Sequence, residues 1–128
     1  MPLVRIDLRK GKTGFYRQAI GNAVYRAMRE TFAVPDEDRF TVINEHDVEN
    51  FQFSSSYLDI ARSEDLVIIQ ITFNEGRTTV QKQALYKAIA EGIHAATGLG
   101  IGDVFINLVE VKRENWSFGN GVAQYAST

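Results

Sequence analysis

Gly11-Lys12-Thr13-Gly14-Phe15-Tyr16-Arg17-Gln18-Ala19 and Gly76-Arg77-Thr78-Thr79-Val80-Gln81-Lys82-Gln83-Ala84 stand 65 positions apart. They agree in a glycine, a basic residue and a threonine, and again in a basic-Gln-Ala triplet. The same offset lays Ile6 on Ile71, Ala23 on Ala88, Asp38 on Asp103, Phe40 on Phe105 and Glu45 on Glu110, without a gap. An ungapped series in one register marks two copies of one supersecondary unit.

Each copy reads strand, helix, strand. Leu3 to Leu8 alternates, with Val4, Ile6 and Leu8 on one face and Arg5 and Asp7 on the other. Thr13 and Thr78 are N-cap residues by chemistry, since their hydroxyls can accept from the first backbone N–H groups of a helix. Behind them run apolar stripes at helical spacing: Phe15, Ala19, Ile20, Ala23, Val24, Ala27 and Met28, then Val80, Ala84, Leu85, Ala88, Ile89 and Ile93. Pro35 and the cluster Gly98, Gly100, Gly102 are the expected helix stops. Phe40 to Glu45 and Val104 to Val111 are the closing strands.

Two such units, each with parallel strands and a right-handed crossover, give an α+β two-layer fold: a tandem βαβ repeat with a four-stranded sheet and two helices on one face. The expectation is a single domain over 1–128, with repeat halves at 2–46 and 66–111. The segment 47–64 and an aromatic tail at 112–128 are expected to lie outside the repeat. Leu66-Val67-Ile68-Ile69 is apolar throughout, which predicts burial on both faces. No third helix is in prospect to cover the far face, so the sheet is expected to self-associate into a homo-oligomer.

Composition narrows the chemistry. The 128 residues are 45% hydrophobic and 23% charged, enough for a core without disulfides or metal. The absence of Cys excludes a disulfide scaffold, a thiol nucleophile and thiolate metal sites. A net charge of −2 argues against a binder of nucleic acid held by phosphate contacts. No apolar run reaches the ~18–20 residues of a membrane span, and the start lacks a signal-peptide pattern, so a cytoplasmic protein is expected.

Gly11-Lys12-Thr13 fails as a phosphate loop because its earlier glycine would fall on Ile6. Gly98 to Gly102 follows a helix and so reads as a stop. His46 and His94 have no spaced carboxylate partner, and no metal site is expected. Pro2 remains. Removal of Met1, common before a small second residue, would leave Pro2 as a secondary amine, and an α-amino group titrates near pH ~8. Held at the head of a core strand, it could act as acid or base.

The Met-Pro start, the βαβ repeat, Val34-Pro35-Asp36-Glu37-Asp38-Arg39-Phe40, Gly76-Arg77-Thr78 and Trp116-Ser117-Phe118-Gly119-Asn120-Gly121 occur together and in order. In this set the chain resembles the tautomerase superfamily, and within it the malonate semialdehyde decarboxylase-like branch. The resemblance implies a homotrimer with its sheets facing inward, no cofactor and a small oxo-acid substrate. It implies Pro2, Asp38 and Arg77 as catalytic residues, with Arg77 binding the substrate beside an aromatic wall of Trp116, Phe118 and Tyr125. One form of the decarboxylase carries a second arginine two residues before the first; here that position is Glu75.

The same parts serve two reactions. A protonated Pro2 suits decarboxylation of a 3-oxo acid, with hydration as a side activity. A neutral Pro2 suits keto–enol tautomerisation of a 2-oxo acid such as phenylpyruvate. Asp38 raises the amine's pKa and Arg77 lowers it. At ~5 Å and an effective dielectric of ~20, either charge contributes about 3 kcal/mol, or about two pKa units. The resemblance sets the aspartate against the proline, favouring the protonated amine. A non-catalytic small-molecule-binding module is the alternative from a different class, since two βαβ units also build such modules.

Overall fold

Alternation and capping act locally as the sequence dictates. In the computed structural model, which describes residues 2–126, β1 (Leu3–Arg9) buries Val4, Ile6 and Leu8. Helix α1 (Gly14–Phe32) is capped by Thr13, whose hydroxyl accepts from the Tyr16 N–H. Then follow β2 (Phe40–His46), β3 (Val67–Asn74), α2 (Thr79–Thr97) and β4 (Val104–Val111). The α2 cap is a full capping box, in which Thr78 accepts from the Gln81 N–H while the Gln81 side chain accepts from the Thr78 N–H. Both helices have 19 residues. Their ends differ. Gly98 takes the left-handed cap of α2, whereas α1 is closed by Ala33 at φ 54, two residues before Pro35. A side chain there costs about 1–2 kcal/mol.

The sheet order is β2-β1-β3-β4, with β1 parallel to β2, β3 parallel to β4, and β1 antiparallel to β3. Arg5 and Gln70, repeat mates 65 positions apart, pair with each other and mark the pseudo-dyad. The start of β1 therefore lies beside the end of β3, and the start of β3 beside the end of β1. Both helices cover the face carrying Val4, Ile6, Leu8, Val67, Ile69 and Ile71, and meet it with Ile20, Val24, Leu85, Ile89 and Ile93. The helices approach closely at Gly92, where an added Cβ would stand 3.5 Å from the Ala23 Cβ.

Two expectations need revision. Within the apolar run Val67 and Ile69 are sealed under the helices and Leu66 is buried as well, while Ile68 faces the other side and is only half-buried. That far face is polar along its middle, with Arg5, the Gln70–Asn107 hydrogen bond at 3.0 Å, and Asp7 bonded to His46. Second, the repeat runs on past the strands. Short 3₁₀ turns at Val48–Asn50 and Arg113–Asn115 keep the 65-residue offset. Glu49-Asn50-Phe51-Gln52-Phe53 then mirrors Glu114-Asn115-Trp116-Ser117-Phe118. The segments expected outside the repeat are its third part, and each brings two aromatics together, edge-on for Phe51 and Phe53 and stacked for Trp116 and Phe118.

Candidate active site

Where β1 begins and β3 ends, a cavity of about 250 Å³ opens. Pro2, Asp38 and Arg77 all border it, and Pro2 is buried there. Parallel pairing of Leu3 with Phe40 brings the turn preceding β2 to the head of β1. The Asp38 N–H donates to the Pro35 carbonyl within that turn, and Glu37 adopts φ 70. Asp36 ties the same turn to α1, accepting from the Tyr25 hydroxyl at 2.9 Å and from Arg29 at 3.4 Å. The Tyr25 hydrogen bond, with Arg29 adding charge, holds the Asp36 carboxyl below its ordinary pKa. Asp38 itself is half-buried.

Arg77 arrives from the turn between β3 and α2, where Gly76 has φ +120, a conformation closed to residues with a Cβ. One guanidinium N–H donates to the Phe32 carbonyl at 3.0 Å, and the group lies 4.8 Å from the Phe32 ring centroid. A cation at the last turn of α1 also suits the helix dipole. That uses one of five guanidinium donors and leaves others to bind an anion. Phe32 and Phe73, with ring centroids 5.2 Å apart, supply an apolar wall.

Trp116, Phe118 and Tyr125 do not border the cavity within the chain; they stand behind residues that do. Trp116 stacks on Phe118 at 5.3 Å, and Phe118 meets Tyr125 edge-on at 4.7 Å. Arg113, a cavity residue, lies 5.0 Å from the Tyr125 ring centroid. The Trp116 indole N–H donates to Asn74 Oδ1 at 2.7 Å, and Asn74 is another cavity residue. Asn74 and Arg113 were missed in the sequence. The repeated Glu-Asn-aromatic-x-Phe motif was the available signal, because it sets Trp116 and Phe51 at matching positions against the strand ends.

At the opposite end, where β3 begins and β1 ends, a smaller cavity of about 140 Å³ is lined by Arg9, Lys12 and Asp65 among others. Lys12, the repeat mate of Arg77, is paired with Asp65 at 3.1 Å. Asp103, the mate of Asp38, is 7% exposed and accepts from the Ser63 N–H and hydroxyl, each at 2.6 Å. The Arg9 guanidinium donates to the Phe51 carbonyl and lies over Phe53, with its Nε buried and unpaired. Each histidine has a hydrogen-bond partner. His46 does have a carboxylate partner, Asp7 at 2.6 Å, contrary to expectation, and His94 Nδ1 bonds the Leu99 carbonyl oxygen at 2.9 Å. No group of three or more His, Asp or Glu suited to a metal occurs among the described residues.

Two family models described as tautomerase enzyme match residues 38–119 and 2–58. A probable tautomerase of Bacillus subtilis strain 168, YusQ, is 40% identical over 124 residues, covering 97% of this chain and 98% of the relative. The crystal structure of FG41 malonate semialdehyde decarboxylase inhibited by 3-bromopropiolate matches at 38% identity and a TM-score of 0.90, over 96% of this chain and 93% of that one. A fused 4-OT solved as a wild-type symmetric trimer shares the fold at 19% identity and a TM-score of 0.79, over 98% of this chain and 99% of that one.

Proposed function

This chain belongs to the tautomerase family, and from that premise we propose that it is a malonate semialdehyde decarboxylase-like enzyme whose catalytic group is the amine of Pro2, freed by loss of Met1. The observation that carries the reading is the convergence of Pro2, Asp38 and Arg77 on one cavity large enough for a small oxo acid. The 38% identity to FG41 malonate semialdehyde decarboxylase supports that substrate class.

Arg77 grips the substrate carboxylate and turns the carbon chain toward Pro2. Asp38 keeps the secondary amine protonated. The bond between the carboxylate carbon and the α-carbon breaks, its electron pair moves into an enolate, and CO₂ leaves. The ammonium N–H gives its proton to the α-carbon, forming the aldehyde, and the amine regains a proton from water. Phe32 and Phe73 exclude water from the enolate. No cofactor is required.

The second reading is tautomerisation of a 2-oxo acid by a neutral Pro2, favoured by the name of the Bacillus relative. A homotrimer working in the cytoplasm is part of the proposal. The outer edges of β2 and β4 are unpaired among the described residues. Beside β4 lies an apolar groove of about 640 Å³ lined by Tyr57, Leu58, Ile101 and Phe105.

A pH–rate profile of untagged protein with malonate semialdehyde and with phenylpyruvate tests the reaction. Decarboxylation through a protonated amine falls as pH rises through the amine's pKa, and tautomerisation through a neutral amine rises there. Full activity in a chain whose terminal nitrogen is acylated would overturn both.

A further inference from the structure

Asn74, the last residue of β3, is 7% exposed and borders the cavity. Its carboxamide has one acceptor oxygen and one NH₂ donor group, and an isolated amide could turn either toward the cavity. Here the choice is forced. The Trp116 indole N–H can only donate, so the amide atom 2.7 Å from it is the oxygen. The NH₂ group is turned the other way and has no protein acceptor among the described residues. It is not a buried orphan, since only Arg9 Nε is one among the described residues, so it meets open space, and the cavity that Asn74 borders is where a ligand acceptor can sit.

Its neighbours define that acceptor. Arg77, three residues on, is the cation for a carboxylate, while Glu75 between them brings a negative charge to the same rim. Arg113 borders the same cavity, so the arginines answer a carboxylate and the neutral amide is left for a neutral oxo oxygen.

We infer that Asn74 is a substrate-binding residue. Its amide donates to the oxo oxygen of a substrate whose carboxylate is held by Arg77, and Trp116 is the positioning residue that fixes the amide's direction. The inference rests on reading the cavity as an oxo-acid site and deepens it by naming the residue that holds the oxo oxygen.

Calorimetric titration with acetoacetate and butanoate, which differ only in the oxo oxygen, tests it without needing turnover. Wild-type protein should prefer acetoacetate by about five- to tenfold, the weight of one hydrogen bond. Asn74→Ala should abolish that preference and leave butanoate affinity unchanged. Asn74→Asp retains an acceptor for the Trp116 N–H, which guards against a folding defect, and should bind acetoacetate more weakly than butanoate. Trp116→Phe keeps a ring but lets the amide turn, so it should lose most of the preference in wild type and nothing more in the Asn74→Ala background.

A preference that survives Asn74→Ala, or an equal loss for both ligands, overturns the inference. So does a further loss from Trp116→Phe in the double variant. If the titrations behave as expected while untagged protein turns over no oxo acid, the Pro2 chemistry fails and the Asn74 role stands. Binding of neither ligand overturns both.

Discussion

The two ends of the sheet are built from the same repeat, yet they spend the same residues differently. Asp103 is locked by two hydrogen bonds from Ser63, and Lys12 is held by Asp65. Both partners come from the segment that enters β3. Their mates Asp38 and Arg77 border the larger cavity, beside Pro2. An acid and a base at fixed positions of a βαβ unit are thus not a site in themselves. At one end the segment entering β3 ties both of them, and at the other both border a cavity.

The largest effect that could break this contrast lies at Pro2. Blocking its nitrogen, with an acyl group or an uncleaved extension, should lower kcat by about 10²–10⁴-fold, the range for a lost general acid or base. The melting temperature should stay unchanged, and lengthening the Ser54-Ser55-Ser56 run should leave kcat intact.

Next comes the basic pair. Arg77→Ala should raise KM by about 10²-fold through loss of a charged, two-pronged contact. Lys12→Ala, at the matching position, should leave steady-state kinetics unchanged. Equal kinetic loss in the two variants would erase the distinction between the ends.

The acidic pair should split the other way. Asp103→Asn should destabilise the fold by about 1–3 kcal/mol in urea titration, since its buried oxygens lose charge-assisted partners. Asp38→Asn should shift the pH–rate profile instead: removing the negative charge lowers the amine's pKa, so decarboxylation fails at lower pH than in wild type. The smallest effect compares the helices. Gly92 occupies the position matched by Ala27, and an added Cβ meets only ordinary contacts. Gly92→Ala should stabilise by about 0.5–1 kcal/mol, read as a rise in melting temperature.

Much of this was written in local chemistry. Thr13 and Thr78 cap their helices with bonds to residues three positions on, and strand alternation involves neighbours two apart, so sequence reading reached them. The ordered motif set named Pro2, Asp38 and Arg77 together, and the fold brings all three to the border of one cavity. Asn74 was not named, because a lone asparagine at a strand end looks like a turn residue and its partner Trp116 lies 42 residues away. Nor was the grip of Arg77 on the Phe32 carbonyl, 45 residues distant. The third part of the repeat was overlooked for another reason: Phe51 and Trp116 share a role but not an identity. The aromatic tail does not line the cavity within the chain, and the Trp116 indole meets it through the Asn74 amide.

The outer strands also match. Phe40 on β2 and Phe105 on β4 occupy equivalent places and stay about half exposed, at 52% and 46%. A subunit with like adhesive margins on both flanks can join its neighbours into a closed ring or into a growing filament, depending only on the rotation between successive copies. In the proposed homotrimer the rotation between copies would therefore fix particle size, and a substitution that changes that rotation without removing a contact would turn a finite assembly into a fibre.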